Sequence, residues 1–116
     1  MINWGIIGPG SIAQVFCNGL RFSKTGVAAG VASRDRSRAA AFAEMFSIPT
    51  VHDSYDALLS DPSIDAVYIA TIHPAHLKWV TKAAQAGKHI LVEKPMGMNA
   101  AEVSTMITAA RENDVF

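Results

Sequence analysis

The run His89-Ile90-Leu91-Val92-Glu93-Lys94-Pro95 places an acid, an amine and a proline directly after a short apolar stretch. Ligands of open α/β sheets bind beyond the carboxyl ends of the strands, so polar side chains there can face a ligand. An ammonium at Lys94 could hydrogen-bond or protonate a substrate oxygen whose charge changes during reaction. Glu93 either orients Lys94 or only closes the strand, and a solvated ion pair is the structural alternative. We also predict a cis Lys94–Pro95 peptide bond.

A glycine turn supplies the second motif. Gly8-Pro9-Gly10-Ser11-Ile12-Ala13 has the pattern GxGxxA and lies between an apolar strand and a helical repeat. The first glycine permits the tight turn, the second lets a pyrophosphate approach the backbone, and the helix N-terminus offers free N–H groups. A glycine-rich turn of an unrelated α/β protein is the alternative. The cofactor contacts predicted here are Gly8, Pro9, Gly10, Ser11 and Ile12.

Ala32-Ser33-Arg34 ends the second apolar run, where a site that prefers NAD would place Asp or Glu. The Ser33 hydroxyl and the Arg34 guanidinium can both donate to a 2′-phosphate, which a carboxylate would repel. The sequence therefore predicts NADP(H) rather than NAD(H). Asp35 could still take the ribose role if the loop is shifted. Arg38 is either a second phosphate contact or a solvated charge at the start of a helix.

The loop Thr71-Ile72-His73-Pro74-Ala75-His76 follows the fourth apolar run, on the side of the sheet where ligands bind. Metal binding by its histidines is disfavoured, because no third ligand has zinc-like spacing and the chain has one cysteine. In the first turn of a helix, His76 is more typical of packing or capping than of function.

These motifs lie in an alternation of strands and helices, which predicts a parallel, doubly wound sheet of the Rossmann type. Apolar runs predict strands at 2–7, 27–32, 50–52, 66–70 and 90–92, and the chain ends where a sixth would begin. We therefore expect residues 1–116 to form one dinucleotide-binding domain, truncated near the sixth strand. Helices are predicted after the glycine turn, after Asp35, from Tyr55 to Leu59, from Pro74 in the first turn to about Ala86, and after Asn99. The inward residues predicted for the last helix are Val103, Met106, Ile107 and Ala110.

Composition excludes several functions. The 116 residues are 50% hydrophobic, enough for one core, and carry ten basic and ten acidic side chains. This balance argues against nucleic-acid and membrane-surface binding. The single cysteine, Cys17, lies in an apolar helical pattern and is expected to be buried. Without a signal peptide or a membrane-spanning stretch, the expected location is the cytoplasm.

Four features together resemble the N-terminal domain of the glucose-fructose oxidoreductase and inositol dehydrogenase family: the glycine turn, Ser33-Arg34-Asp35, the loop from Thr71 to His76, and Glu93-Lys94-Pro95 followed by Met96-Gly97. The form Thr-x-His-Pro-x-His is similar to the NADP-dependent dihydrodiol and D-xylose dehydrogenase branch. The resemblance implies that Lys94 lies near the nicotinamide and substrate. It also implies cofactor contacts at Thr71, His73, His76, Glu93 and Lys94.

The family's second domain, which supplies further catalytic residues and often an oligomer interface, is absent from these residues. We therefore expect the cofactor half of a homo-oligomeric NADP(H)-dependent oxidoreductase that transfers hydride to or from a sugar, polyol or diol, with Lys94 at the reacting oxygen. A non-catalytic NADP(H)-binding module or regulatory fragment is the alternative. A methyltransferase is disfavoured because Ser33-Arg34 replaces the acidic residue, and a short-chain dehydrogenase because its glycine spacing differs and Tyr-x-x-x-Lys is absent.

Overall fold

The structure is a computed structural model that describes residues 1–94 and 96–116, except for the side chain of His73. The predicted cis bond before Pro95 lies outside the described residues. Strands and helices alternate as the apolar pattern predicts. The elements are β1 (Ile2–Ile7), α1 (Ser11–Leu20), β2 (Gly26–Ala32), α2 (Arg36–Phe46), β3 (Thr50–Val51), α3 (Tyr55–Leu59), β4 (Ala66–Ile69), a 3₁₀ turn (His73–Ala75), α4 (His76–Gln85), β5 (His89–Val92) and α5 (Ala100–Glu112).

The five strands form one parallel sheet in the order β3-β2-β1-β4-β5. From β1 the chain winds outward to β3, then returns to the other side of β1 and winds outward to β5. The predicted Rossmann-type, doubly wound fold is thereby confirmed. The winding reverses between β1 and β4, and ligands of open α/β sheets bind beyond the carboxyl ends of the strands at such a point.

Helices cover both faces of the sheet, and the inner strand β4 is buried along its whole length, as its apolar run predicts, whereas the edge strand β5 is partly exposed. On one face α1 and α2 pack over Ile6, Val31 and Tyr68, and on the other α3, α4 and α5 pack over Ile7, Val67 and Ile69. Cys17 lies in the first of these clusters and is 2% exposed, which confirms the expected burial. Burial raises the pKa of its thiol to about 11.

Three local predictions were wrong. His52 follows β3 instead of belonging to it, although its N–H still donates to Val31 O (2.9 Å) and its ring Nε2 lies 2.9 Å from Asp61 Oδ2. Pro74 lies in the 3₁₀ turn before α4, closed by the hydrogen bond from Ala75 N to Ile72 O. Ile107 is 41% exposed, whereas Ala109 is buried beside Met106. Local periodicity determines neither the first and last residues of a helix or strand nor which face of a helix is buried.

The last residues run beside β5. Ile90 N donates to the carbonyl oxygen of Phe116 (2.8 Å), and Phe116 N donates to Nδ1 of His89 (3.1 Å). This is the edge where the alternation of elements predicts the next strand. Among the helices in the described part of the chain, none has the length and apolar composition needed to cross a membrane.

Asp61 organises the loop between α3 and β4. Its Oδ1 accepts from Ser63 N (2.8 Å) and Ser63 Oγ (2.7 Å), and its Oδ2 lies 2.9 Å from His52 Nε2. The buried Lys88 Nζ donates to the carbonyl oxygens of Asp61 and Ile64, both at 2.7 Å. The Ser63 side-chain hydrogen bond, followed by that of His52, lowers the pKa of Asp61 to about 2.

Asp61→Asn should lower the free energy of unfolding by about 1–3 kcal/mol at neutral pH, because it removes a charged acceptor from these hydrogen bonds. The folded pKa lies below the unfolded value of 3.8, so this stabilisation is present above about pH 4 and is lost as pH falls through about 2. Urea unfolding at a series of pH values should therefore show the two proteins converging in acid. A constant difference would contradict the assignment. Asp53→Asn, at an exposed ion pair, should cost less than about 1 kcal/mol.

Candidate functional site

Gly8 joins the carboxyl ends of three strands. Its N–H donates to Ala32 O at the end of β2 (3.2 Å), and its φ is +89°, in the left-handed region. A Cβ added here would lie 2.9 Å from the carbonyl carbon and oxygen of Ala70, just beyond β4. Only glycine fits this turn, for both conformational and steric reasons.

At position 10, by contrast, neither the backbone conformation nor the surrounding space requires a glycine. Gly10 is the N-cap of α1 with φ −152° in the extended region, and nothing lies within 4 Å of an added Cβ. Since the N-cap is a glycine, no side chain accepts a hydrogen bond from the backbone N–H groups of the first turn, which begins with Ser11 and Ile12. Open space beside uncapped helix amides suits a phosphate group. The residues present therefore fit a dinucleotide pyrophosphate.

The loop after β2 and the first turn of α2 carry two arginines, Arg34 and Arg38, that lie on the same side of the sheet as the glycine turn. Arg34 is exposed, and Ser33 is buried with its Oγ accepting from Asp35 N (3.2 Å). Arg38 Nη2 donates to Pro9 O (3.3 Å), which ties the start of α2 to the glycine turn. Arg36 instead forms an exposed ion pair with Asp53.

Asp35 is the N-cap of α2, as predicted. Its Oδ1 accepts from Ser37 N (3.0 Å) and Ser37 Oγ (2.6 Å). The Ser37 side-chain hydrogen bond is the main cause of a lowered pKa at Asp35. This carboxylate oxygen is thus engaged in holding the helix start.

These loops enclose a cleft of about 700 Å³, within the range of small-molecule sites. Thr71 lies in its wall, and its buried Oγ1 has no hydrogen-bond partner among the described residues. A buried hydroxyl of this kind is expected to bond to a ligand or water. The residues that line the cleft are Gly8, Pro9, Gly10, Ser33, Arg34, Asp35, Arg38, Tyr55, Ala70, Thr71, Ile72, Ala75, Lys78 and Trp79.

The cleft gathers most of the predicted cofactor residues, but not all. Those in its lining are Gly8, Pro9, Gly10, Ser33, Arg34, Arg38 and Thr71. Ser11 and Ile12 lie next to it on α1. His76 is fully buried with Nε2 3.0 Å from Thr71 O, so it supports the loop backbone. The His73 side chain is not described. Cofactor contacts by these residues stay predictions.

Sequence reasoning missed one wall of the cleft. Tyr55 and Trp79 meet edge to face with ring centroids 4.8 Å apart, and Lys78 Nζ lies 5.0 Å from the Trp79 centroid. Burial raises the pKa of Tyr55. The sequence did contain one indication of this wall, since the i, i+3, i+4 spacing of Ala75, Lys78 and Trp79 places them on one face of a helix. Periodicity alone does not say that this face meets the glycine turn.

Glu93 and Lys94 lie at the end of β5, outside the cleft lining. Glu93 N donates to Ile69 O (2.9 Å), which prolongs the β4–β5 pairing by one residue. The Tyr68 hydroxyl donates to Glu93 Oε2, and Lys94 is exposed. Within residues 1–94 and 96–116, no group of three or more His, Cys, Asp and Glu side chains could hold a metal ion.

The two glycines of the turn should respond differently to alanine. Gly10→Ala should change the melting temperature little but weaken NADPH binding by at least about tenfold, because the added methyl occupies the open space. Gly8→Ala should cost about 1–3 kcal/mol of stability through backbone strain. Calorimetric titration and thermal unfolding measure both effects.

Gly19→Ala, in the exposed last turn of α1, is the matched control and should leave NADPH binding unchanged while stabilising the helix slightly. Unaltered NADPH affinity in Gly10→Ala would show that the open space at Gly10 is not a phosphate site.

Comparisons with known proteins agree with this geometry. Trans-1,2-dihydrobenzene-1,2-diol dehydrogenase of Mus musculus is 46% identical over 99% of the chain, and that of Danio rerio is 43% identical over 99%. The chain covers 35% of the length of each of these relatives.

A solved 3-ketoreductase from Actinomadura kijaniata, in complex with TDP-benzene and NADP, superimposes with a TM-score of 0.94 at 33% identity, over 99% of this chain and 36% of that one. A biliverdin reductase from Synechocystis, in complex with biliverdin and NADP⁺, gives a TM-score of 0.90 at 31% identity, over 99% of this chain and 36% of that one. A family profile described as "Oxidoreductase family, NAD-binding Rossmann fold" matches residues 2–116. These findings confirm the resemblance drawn from the motifs: the chain belongs to this oxidoreductase family.

Proposed function

We propose that the chain is the cofactor-binding domain of an NADP(H)-dependent oxidoreductase that acts on a CH–OH group of a diol, sugar or polyol. The observation that carries the proposal is the cleft in which the glycine turn, Ser33 and Arg34 come together. The names of the relatives, which are dihydrodiol dehydrogenases and a ketoreductase bound to NADP, support the same reaction class.

The preference for NADP(H) rests on positive charge in the loop after β2 and in the first turn of α2. Arg34 and Arg38 line the cleft and can donate to a 2′-phosphate. Asp35, which could take the ribose role in an NAD site, uses its Oδ1 to accept from Ser37 at the start of α2. Arg34 and Arg38 therefore favour the phosphorylated dinucleotide.

The roles of the residues follow from their positions. The amides at the start of α1 and the space beside Gly10 would hold the pyrophosphate, and the Thr71 hydroxyl would donate to or accept from the bound cofactor. When bound, NADP(H) supplies or accepts the hydride. Lys94 would donate a hydrogen bond to the substrate oxygen and so stabilise the charge that develops there. This role of Lys94 comes from the family resemblance.

The full reaction is proposed for a longer polypeptide, since the relatives are nearly three times as long as this chain. A second domain would complete the pocket around the exposed Lys94 and would carry the interface of a homo-oligomer, as the resemblance implies. A cytoplasmic location is proposed because the chain's single cysteine, Cys17, is free and buried. The mass of the purified protein tests the second domain, and turnover of a dihydrodiol with NADP⁺ separates an enzyme from a binding module.

Arg34→Ala should weaken NADPH binding by about ten- to a hundredfold, because the 2′-phosphate loses a charged hydrogen bond. NADH has no 2′-phosphate, so its affinity should change by less than about twofold. Calorimetric titration with both cofactors measures the ratio of the dissociation constants for NADPH and NADH. Arg36→Ala removes an equal charge outside the cleft and should leave the ratio unchanged. Equal or tighter binding of NADH by the unaltered protein would overturn the preference.

Lys94→Ala in the longer protein should lower kcat by about 10²–10⁴-fold, because the substrate oxygen loses its donor. The affinity for NADPH should stay within about twofold. Steady-state kinetics with trans-1,2-dihydrobenzene-1,2-diol and equilibrium titration measure the two quantities. Lys24→Ala, at an exposed position just before β2, is the control with unchanged turnover. Near-normal turnover in Lys94→Ala would remove Lys94 from the chemistry.

A further inference from the structure

A buried tyrosine bonds to the acid that precedes Lys94. Tyr68 on β4 is 4% exposed, and its ring lies parallel to that of Phe16 on α1, with centroids 4.1 Å apart and an interplanar angle of 4°. Phe16 in turn contacts Trp4 edge to face, at 5.2 Å. These contacts fix the ring, so the direction of its hydroxyl is set. That hydroxyl donates to Oε2 of Glu93.

Glu93 is consequently held at two points. Its N–H donates to Ile69 O, and its carboxylate accepts from Tyr68. β5 itself ends at Val92, so Glu93 lies where the ladder stops and the chain would otherwise fray. The second anchor acts on the residue from which the chain continues directly into Lys94.

Lys94 has no comparable anchor of its own. It is exposed, and no ion pair within the described part of the chain involves it. A long, exposed lysine side chain has much rotamer freedom. The direction in which it extends therefore depends on the backbone at Glu93 and Lys94.

We infer that Tyr68 is a positioning residue: through its hydrogen bond to the Glu93 carboxylate it holds the backbone that carries Lys94. The consequence for catalysis rests on the proposed function, whereas the ordering of the backbone does not. Burial, together with the hydrogen bond and charge of Glu93, raises the pKa of Tyr68. The hydroxyl therefore stays a donor at neutral pH and is unsuited to act as a proton acceptor.

Tyr68→Phe, which removes one hydroxyl and keeps the stacked ring, is the direct test. In ¹⁵N relaxation measurements on this chain, the order parameter of the Lys94 amide should fall from a rigid value near about 0.85 toward about 0.6. The slowly exchanging hydroxyl proton of Tyr68 should be visible in the unaltered protein and in Tyr55→Phe, and absent from Tyr68→Phe. Tyr55→Phe makes the same change at the other tyrosine and should leave Lys94 ordered.

Glu93 variants separate the hydrogen bond from the charge. Glu93→Gln keeps an oxygen acceptor and should keep Lys94 ordered, whereas Glu93→Ala should disorder it as Tyr68→Phe does. The double variant Tyr68→Phe/Glu93→Ala should be no more mobile than either single variant, since both break the same bond.

In the longer protein, Tyr68→Phe should lower kcat about tenfold and change the KM for NADPH less than about twofold. If Tyr68 only fills the core, Tyr68→Phe will change neither the Lys94 order parameter nor kcat, and the inference is overturned. Should the unaltered longer protein turn over no diol or sugar, the proposed function fails, and the relaxation data still decide the role of Tyr68.

Discussion

The close approach of Gly8 to the backbone of Ala70 is the constraint on which the site depends. At 2.9 Å from an added Cβ, the carbonyl of Ala70 leaves no room for any other residue at Gly8. The same contact brings the ends of β1, β2 and β4 together, since Gly8 N also donates to Ala32 O. Two further hydrogen bonds, from Arg38 to Pro9 O and between His76 and Thr71 O, hold the flanking loops against this centre. The cleft follows from these contacts.

The electrostatics of the cleft differ from those of the whole chain. The formal net charge is zero, yet the lining contains Arg34, Arg38 and Lys78 against one carboxylate, Asp35. That carboxylate accepts two hydrogen bonds from Ser37 at the start of α2. A local excess of donors in a concave site attracts anions even when the protein is neutral overall. Charge counted over the sequence excludes a general polyanion binder but does not describe this site.

The sequence was sufficient for the order of elements because strands of a doubly wound sheet are buried on both faces and appear as unbroken apolar runs. It failed where a distant partner decides a boundary or a face. β3 ends at Val51, before His52, whose ring lies against Asp61, and the buried side of α5 includes Ala109 rather than Ile107. Both outcomes depend on what packs against the element, which local periodicity does not contain.

The sequence by itself determined the glycine turn, the Asp35 cap and the position of Ser33 and Arg34 after β2, because each depends on residues within one strand-turn-helix segment. Only the tertiary structure placed Tyr55, Lys78 and Trp79 in the wall of the same cleft and joined Tyr68 to Glu93. Tyr68 and Glu93 are 25 positions apart and meet because β4 and β5 pair in parallel. Side chains on different strands come within hydrogen-bonding distance only after strand register is set, and register is a property of the folded sheet.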